Sequence, residues 1–241
     1  MALPKLDVPI YELKLPSNNK KISYRPFLVK EEKILLMAME GGDEKEITTA
    51  IKQIINNCLL TDKVDVENLP LFDIEFILLN LRSRSMGDVV KTSYVRNGCT
   101  EKGCKPIQIE INVNDIKVHK VPEHNPKIEL TDKVGIMMKY PDINMMANYA
   151  GDIKNQKTSV AFEMIINCIE SIYDEENVYS KSDYTLDELK EFVDGFTQDQ
   201  FQKIENFFNT LPRMYKDINF NCEKCGYTED IRLEGLADFF G

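Results

Sequence analysis

Two pairs of cysteines, Cys99 with Cys104 and Cys222 with Cys225, constrain what this chain can fold into more than any other feature of its sequence. Each pair lies in a short turn: Cys99-Thr-Glu-Lys-Gly-Cys104 follows Gly98, and Cys222-Glu-Lys-Cys225 precedes Gly226. The spacing of Cys222 and Cys225 lets both sulfurs reach one ion, and a glycine directly after them allows the positive φ that such a turn uses. The first pair is more loosely spaced, with the same freedom at Gly98 and Gly103. Four thiolates on two turns suit tetrahedral zinc, and the long chain between them is no obstacle, because loop closure grows only logarithmically in cost. The pattern predicts one closed structural zinc site, ligated by Cys99, Cys104, Cys222 and Cys225, that ties the tail of the chain to its middle. Two disulfides, or reduced or redox-active thiols, are the alternatives. Met1 to Pro16 interleaves Lys5, Asp7, Glu12 and Lys14 with apolar residues and does not read as a secretory signal, which points to a reducing compartment. There, paired cysteines bind metal more often than they crosslink. Cys58 and Cys168 sit in the apolar stretches Ile54 to Leu59 and Ile165 to Ile169, and read as buried, inert thiols on helix faces.

The segments around those turns supply the rest of the architecture. Pro9 to Leu15 and Lys21 to Phe27 alternate around the turn residues Pro16 to Asn19, an N-terminal hairpin. Helices are predicted over Lys30 to Glu40, stopped by Gly41 and Gly42, over Glu44 to Leu60, and from Pro70 to the run Arg82-Ser-Arg-Ser-Met-Gly87. The arginines of that run are a helix stop that complements the dipole, with a phosphate clamp as the competing reading. Val89 to Val95 and Ile107 to Val113 alternate with period two and place the first cysteine turn at a hairpin tip. Lys117 to Val121, Lys127 to Leu130 and Val134 to Tyr140 read as further strands, giving an antiparallel sheet in the middle of the chain. One helix is expected over Ser159 to Tyr173, followed by an acidic loop at Asp174 to Glu176. Capping boxes at Thr185 to Glu188 and Thr197 to Gln200 start two more helices, and Tyr215 to Phe220 with Tyr227 to Leu233 flank the second cysteine turn. The fold class is α+β: helices around a central antiparallel sheet, with a zinc-ribbon-like pair of cysteine hairpins. The organisation is expected to run 1–88, 89–141 and 142–241, integrated in one core.

Function classes fall away quickly. Forty acidic against 30 basic residues give a formal net charge of −10, which opposes attraction to nucleic acid or anionic lipid. No apolar run approaches the roughly 20 residues that span a bilayer. The only histidines, His119 and His124, have no serine, cysteine or aspartate at charge-relay spacing and read as surface or edge residues. No phosphate loop, helical His-Glu metal motif or nucleophile elbow occurs, and four cysteines would close the zinc shell to water and substrate. The chain therefore reads as a non-enzyme without a small-molecule substrate. A zinc-ribbon module binding nucleic acid or transcription machinery is the alternative, but Lys102, Lys105 and Lys224 are offset by Glu101, Glu223, Glu229 and Asp230. The apolar Leu236-Ala-Asp-Phe-Phe240 either packs on its own core or docks into a partner.

Several separated segments resemble one family. They are Tyr24-Arg-Pro-Phe-Leu-Val-Lys-Glu-Glu-Lys-Ile-Leu-Leu-Met37, Leu71-Phe-Asp-Ile-Glu-Phe-Ile-Leu-Leu-Asn-Leu-Arg-Ser-Arg-Ser-Met-Gly87, Met138-Lys-Tyr-Pro141, Phe207-Phe-Asn-Thr-Leu-Pro212 and Gly235-Leu-Ala-Asp-Phe-Phe240. In that order they are similar to the baseplate hub and hub-assembly proteins of T-even-type contractile-tailed bacteriophages. The resemblance spans essentially the whole chain. It implies a non-enzymatic tail protein that is made in the host bacterial cytoplasm and resides in the virion baseplate or an assembly intermediate. Its partners would be other hub and tail proteins. It implies no catalytic residues, and the zinc proposal rests on the cysteines alone.

Overall fold

The computed structural model describes residues 6–94, 107–154, 158–222 and 224–235. In chain order it contains β1 (Tyr11–Lys14), β2 (Lys21–Tyr24), α1 (Val29–Gly41), α2 (Glu44–Cys58), α3 (Leu71–Met86), β3 (Val89–Tyr94), β4 (Ile107–Asn112), β5 (Lys117–His119), β6 (Lys127–Glu129) and β7 (Gly135–Met138). There follow α4 (Ile143–Lys154), α5 (Thr158–Cys168), β8 (Ile169–Tyr173), β9 (Val178–Ser180), α6 (Leu186–Asp194), α7 (Gln198–Asn209), β10 (Arg213–Asn221) and β11 (Thr228–Glu234). The chain divides into two compact units, one of residues 1–66, 72–119 and 213–241, the other of residues 67–71 and 120–212.

The first unit is built around α3. This helix is buried at Phe72, Asp73, Ile74, Ile77, Leu78, Leu79, Leu81, Arg82 and Ser83, so it is enclosed on nearly every side rather than along one stripe. Its polar positions are answered individually. The carboxylate of Asp73 accepts the Ser17 N–H at 3.0 Å and the Ser17 hydroxyl at 2.5 Å, pinning the turn between β1 and β2 to the helix. Ser85 accepts the Phe27 N–H at 3.0 Å, and the Ser83 hydroxyl donates to Asp88. The leading helices close with local signals: Asp43 caps α2 through the Lys45 and Glu46 N–H groups, and α2 buries Ala50, Ile54, Ile55 and Cys58.

Between β2 and α1 lies an ion pair whose carboxylate is fully buried. Glu31 is 0% exposed and takes Arg25 at 3.0 Å, while its second oxygen accepts the Leu28 N–H at 2.9 Å at the start of α1. The same guanidinium donates to the carbonyls of Pro26 and Asn57, each at 2.9 Å, so one side chain joins the hairpin exit to the end of α2.

The strands form four antiparallel sheets, not one central sheet. β1 pairs β2, β3 pairs β4, β5 joins β10 and β11 in the order β11-β10-β5, and the second unit carries β6-β7-β8-β9. Strands between 89 and 141 are thus shared among three sheets. The expectation of a single middle sheet fails because β5 finds its partner in β10, far along the chain, with Met214 opposite Val118.

The second unit places α4, α5, α6 and α7 around a core of Ile128, Ile136, Met145, Ile166, Val193 and Phe207, among others. Both expected capping boxes are formed: Thr185 exchanges hydrogen bonds with Glu188, and Thr197 with Gln200. The helix expected over Ser159 to Tyr173 ends at Cys168, and the rest of that run is β8. Its apolar residues continue the helical spacing, but β-branched Ile169 and Ile172 with Tyr173 instead pair with β7 and β9. Lys181 caps the end of α5, its Nζ donating to the Ile166 carbonyl at 2.9 Å. The acidic stretch after β8 is the turn of a hairpin to β9, with Asp174 accepting the Glu176 and Asn177 N–H groups. In β7, Gly135 stands opposite Tyr173, whose phenol lies where a Cβ would be, so only glycine fits.

The mixed α/β class, the antiparallel pairing and seven α-helices are established among the described residues. Burial alone would raise the Glu31 pKa, but the Arg25 and Leu28 hydrogen bonds and the charges of Arg25 and Lys30 reverse this and hold it below the usual 4.5. A carboxylate depressed in the fold stabilises above its unfolded pKa, and that contribution disappears as pH falls through the folded value. Arg25→Met leaves the buried carboxylate only the Leu28 N–H and the exposed Lys30 ammonium, and is expected to cost about 3 kcal/mol in urea unfolding at neutral pH. Adding Glu31→Leu should recover most of the loss; a double variant as unstable as the single one would refute this account.

Candidate functional site

The cysteine turn near the end of the chain is built by β10 and β11, which pair from Tyr215 opposite Glu234 to Asn221 opposite Thr228. Alternation is kept on both strands: Met214, Ile231 and Leu233 are buried, while Asp217 and Arg232 face outward. On the outer face the Arg232 guanidinium grips Asp217 at 2.7 and 3.0 Å and lies 4.0 Å over the Tyr215 ring. This brace fixes the register of the hairpin that carries the turn. Beyond the ladder, the Cys222 N–H donates to the Tyr227 carbonyl and the Gly226 N–H donates to the Cys222 carbonyl, both at 2.8 Å. Gly226 has φ 68°, the left-handed conformation expected of it. Cys222 is buried and Cys225 half-buried, on one closed turn.

The other predicted ligands, Cys99 and Cys104, lie outside the described residues, in the 95–106 connection between β3 and β4. Their hairpin is formed, pairing from Val89 opposite Asn112 to Tyr94 opposite Ile107. The two cysteine hairpins share one core: Val90, Ile109, Ile111 and Val113 of the first cluster with Met214, Ile231 and Leu233 of the second, and with Leu79 of α3. Among the described residues, no group of three or more histidine, cysteine or acidic side chains is gathered to hold a metal. The apolar tail Leu236 to Phe240 also lies outside the described residues.

Cys58 and Cys168 are the inert thiols expected. Both are 0% exposed. Burial pushes the Cys58 thiol up to about 11 and the Cys168 thiol up to about 12, so neither supplies a thiolate at neutral pH.

The run at the end of α3 is structural rather than a phosphate clamp. Arg82 is buried and Arg84 lies 5.0 Å over the Tyr11 ring, while the Gly87 N–H closes the helix on the Ser83 carbonyl at 3.0 Å. His119 is exposed on β5, as expected, and stacks on Tyr215 with centroids 3.9 Å apart. His124 is half-buried rather than fully exposed: its ring lies against Tyr140 and Phe207 in a three-ring cluster, and its Nδ1 is 2.9 Å from the Thr210 hydroxyl. Glu75 carried no sequence signal at all. Burial, with the nearby Glu234 charge, pushes its carboxyl up to about 7.

The outside of the first unit is unusual where the inside is conventional. Of the apolar residues of α1 only Ala38 is buried, whereas Val29 is 80%, Leu36 54%, Met37 62% and Met39 55% exposed. At 3.6 residues per turn these four side chains span about 160° of the helix surface. A groove of about 800 Å³ runs beside the start of the helix, lined by Leu6, Val8, Phe27, Leu28, Val29 and Met86 among others. No helix among the described residues is long and apolar enough to cross a membrane.

A chain that leaves Val29, Leu36, Met37 and Met39 of one helix exposed, beside a groove lined by further apolar side chains, has a surface of the kind found in proteins that work as parts of assemblies. The T4 bacteriophage base plate protein family matches residues 8–241, and the chain belongs to that family. It is thus a baseplate protein of the phage tail, and its partners are other baseplate proteins. No curated protein and no solved structure matches the chain.

Proposed function

We propose that this protein is a non-enzymatic subunit or assembly factor of the baseplate hub and acts through protein–protein contacts. The observation that carries this reading is α1: a helix that exposes Val29, Leu36, Met37 and Met39 among Glu32, Lys33 and Glu40, yet buries only Ala38 and Glu31 within its own chain. A helix of that pattern is normally covered, and methionines such as Met37 and Met39 suit a surface that must adapt to a partner. Membership of a baseplate family supports a neighbouring subunit as the cover.

Within that role, Cys99, Cys104, Cys222 and Cys225 are proposed to form a closed structural zinc clasp. The closed Cys222 to Tyr227 turn and the common core of the two hairpins support the clasp. Zinc so held would stabilise the hairpin tips and take no part in chemistry.

Two tests follow. Leu36→Glu with Met37→Glu should weaken association with co-expressed hub proteins by tenfold or more, about 1.4 kcal/mol, while leaving the melting temperature unchanged. Unaltered association, or a purified chain that binds no baseplate protein, would refute the hub role. For the clasp, elemental analysis of protein purified without added zinc should give about one zinc per chain. Cys225→Ser should lose the metal and lower stability; a ratio near zero in reduced, folded protein would remove the clasp.

A further inference from the structure

The chain comes into the larger part of the second unit at Lys120 and leaves it after Pro212. Just inside those two points stand His124 and Thr210, in contact through Nδ1 and Oγ1 at 2.9 Å. The direction of that hydrogen bond can be read from its surroundings. The Thr210 hydroxyl has a single proton, directed to the Asn206 carbonyl at 2.7 Å, with the Phe207 carbonyl at 3.3 Å, so toward the imidazole it accepts. With the Thr210 proton on a carbonyl, the assignment that fits the contact is the Nδ1–H tautomer of His124, which leaves Nε2 as a bare lone pair. That Nε2 is buried and has no protein partner among the described residues. The ring belongs to a three-ring cluster, with centroids 5.5 Å from Tyr140 and 5.0 Å from Phe207, which are themselves 6.3 Å apart.

We propose that His124 is a proton-sensitive latch at the base of the second unit. In the neutral form it ties the incoming connector, residues 120–126, to the last turn of α7. Uptake of a proton from solvent at Nε2 would create a charged N–H donor at a buried position that has no hydrogen-bond partner among the described residues, and the ring leaves the aromatic cluster. The connector is then released from α7. The charged and titratable groups on the elements around the ring are Lys120, Glu123, Lys127 and Glu129 on its own segment and β6, Lys139, Tyr140 and Asp142 after β7, and Asp199, Lys203 and Glu205 on α7. Burial is the one cause that lowers the His124 pKa below its usual 6.5. Since the folded value lies below the unfolded one, the latch contributes fully above pH 6.5, and that contribution is lost as pH falls toward the folded value.

The test uses the full chain. Imidazole NMR at about pH 7.5 should show His124 protonated at Nδ1 and bare at Nε2, with a titration midpoint below the free value of about 6.5. Urea unfolding from about pH 7.5 to 5 should show the wild-type unfolding constant rising, relative to His124→Phe, by up to about tenfold per pH unit. Phenylalanine keeps the stacked ring and removes the titrating group. An Nε2–H tautomer, a midpoint at or above the free value, or the same pH dependence in His124→Phe would overturn the latch. If His124→Phe does not fold, Thr210→Val assigns the His124 resonances, and the wild-type tautomer and midpoint decide.

Discussion

The first unit depends on the enclosure of α3. Because the helix is buried on nearly all sides, its neighbours must be tied to it and to one another by their polar groups as well as by contact. Leu79 sits in the one cluster that both cysteine hairpins share, so the separate sheets β3-β4 and β11-β10-β5 are parts of the same core. Asp73 holds the first turn of the chain, and Ser83 and Ser85 fix the segments that follow β2 and α3. Each of these groups is a polar atom whose burial would be costly without its partner, which makes the arrangement specific as well as stable.

The division of labour is unusual. Glu31 and Asp73, which an ordinary surface would display, are 0% exposed and serve as internal struts, while Leu36, Met37 and Met39 face outward from α1. Here the buried carboxylates of Glu31 and Asp73 are consumed by backbone N–H groups, a guanidinium and a hydroxyl. On α1 the exposed Leu36, Met37 and Met39 are left for outside contact beside exposed Lys33 and Glu40, and that suits a part of a larger particle.

How much of this was legible follows from how local each signal is. The helices α1, α2, α3, α6 and α7 were readable because caps and spacing are written within a few residues: Asp43, Thr185 and Thr197 accept from the N–H groups that follow them. The turn at Cys222 was readable for the same reason, with Gly226 in the expected conformation. Long-range pairing was not. Nothing in Lys117 to His119 says that β10 is its partner, and Ile169, Ile172 and Tyr173 satisfy helical spacing as well as they fill β8. The helix α4 was missed although Asp142 accepts the Met145 N–H at 2.9 Å at its start, a capping signal set just after Pro141. The half-burial of His124 left no local sign because it comes from Phe207 on a helix far along the sequence. Glu75 gave no sign because its environment is made by the distant Glu234.

The central claim is that this chain is a working part of the baseplate hub, so the most direct measurement is quantitative mass spectrometry of purified phage particles beside isolated hub assembly intermediates. The account predicts peptides of this chain, in fixed ratio to hub proteins, in the particles or in the intermediates. Presence in the particles marks a resident subunit, and presence in the intermediates alone marks an assembly factor. Absence from both, while the chain is abundant in infected cells, would contradict the account.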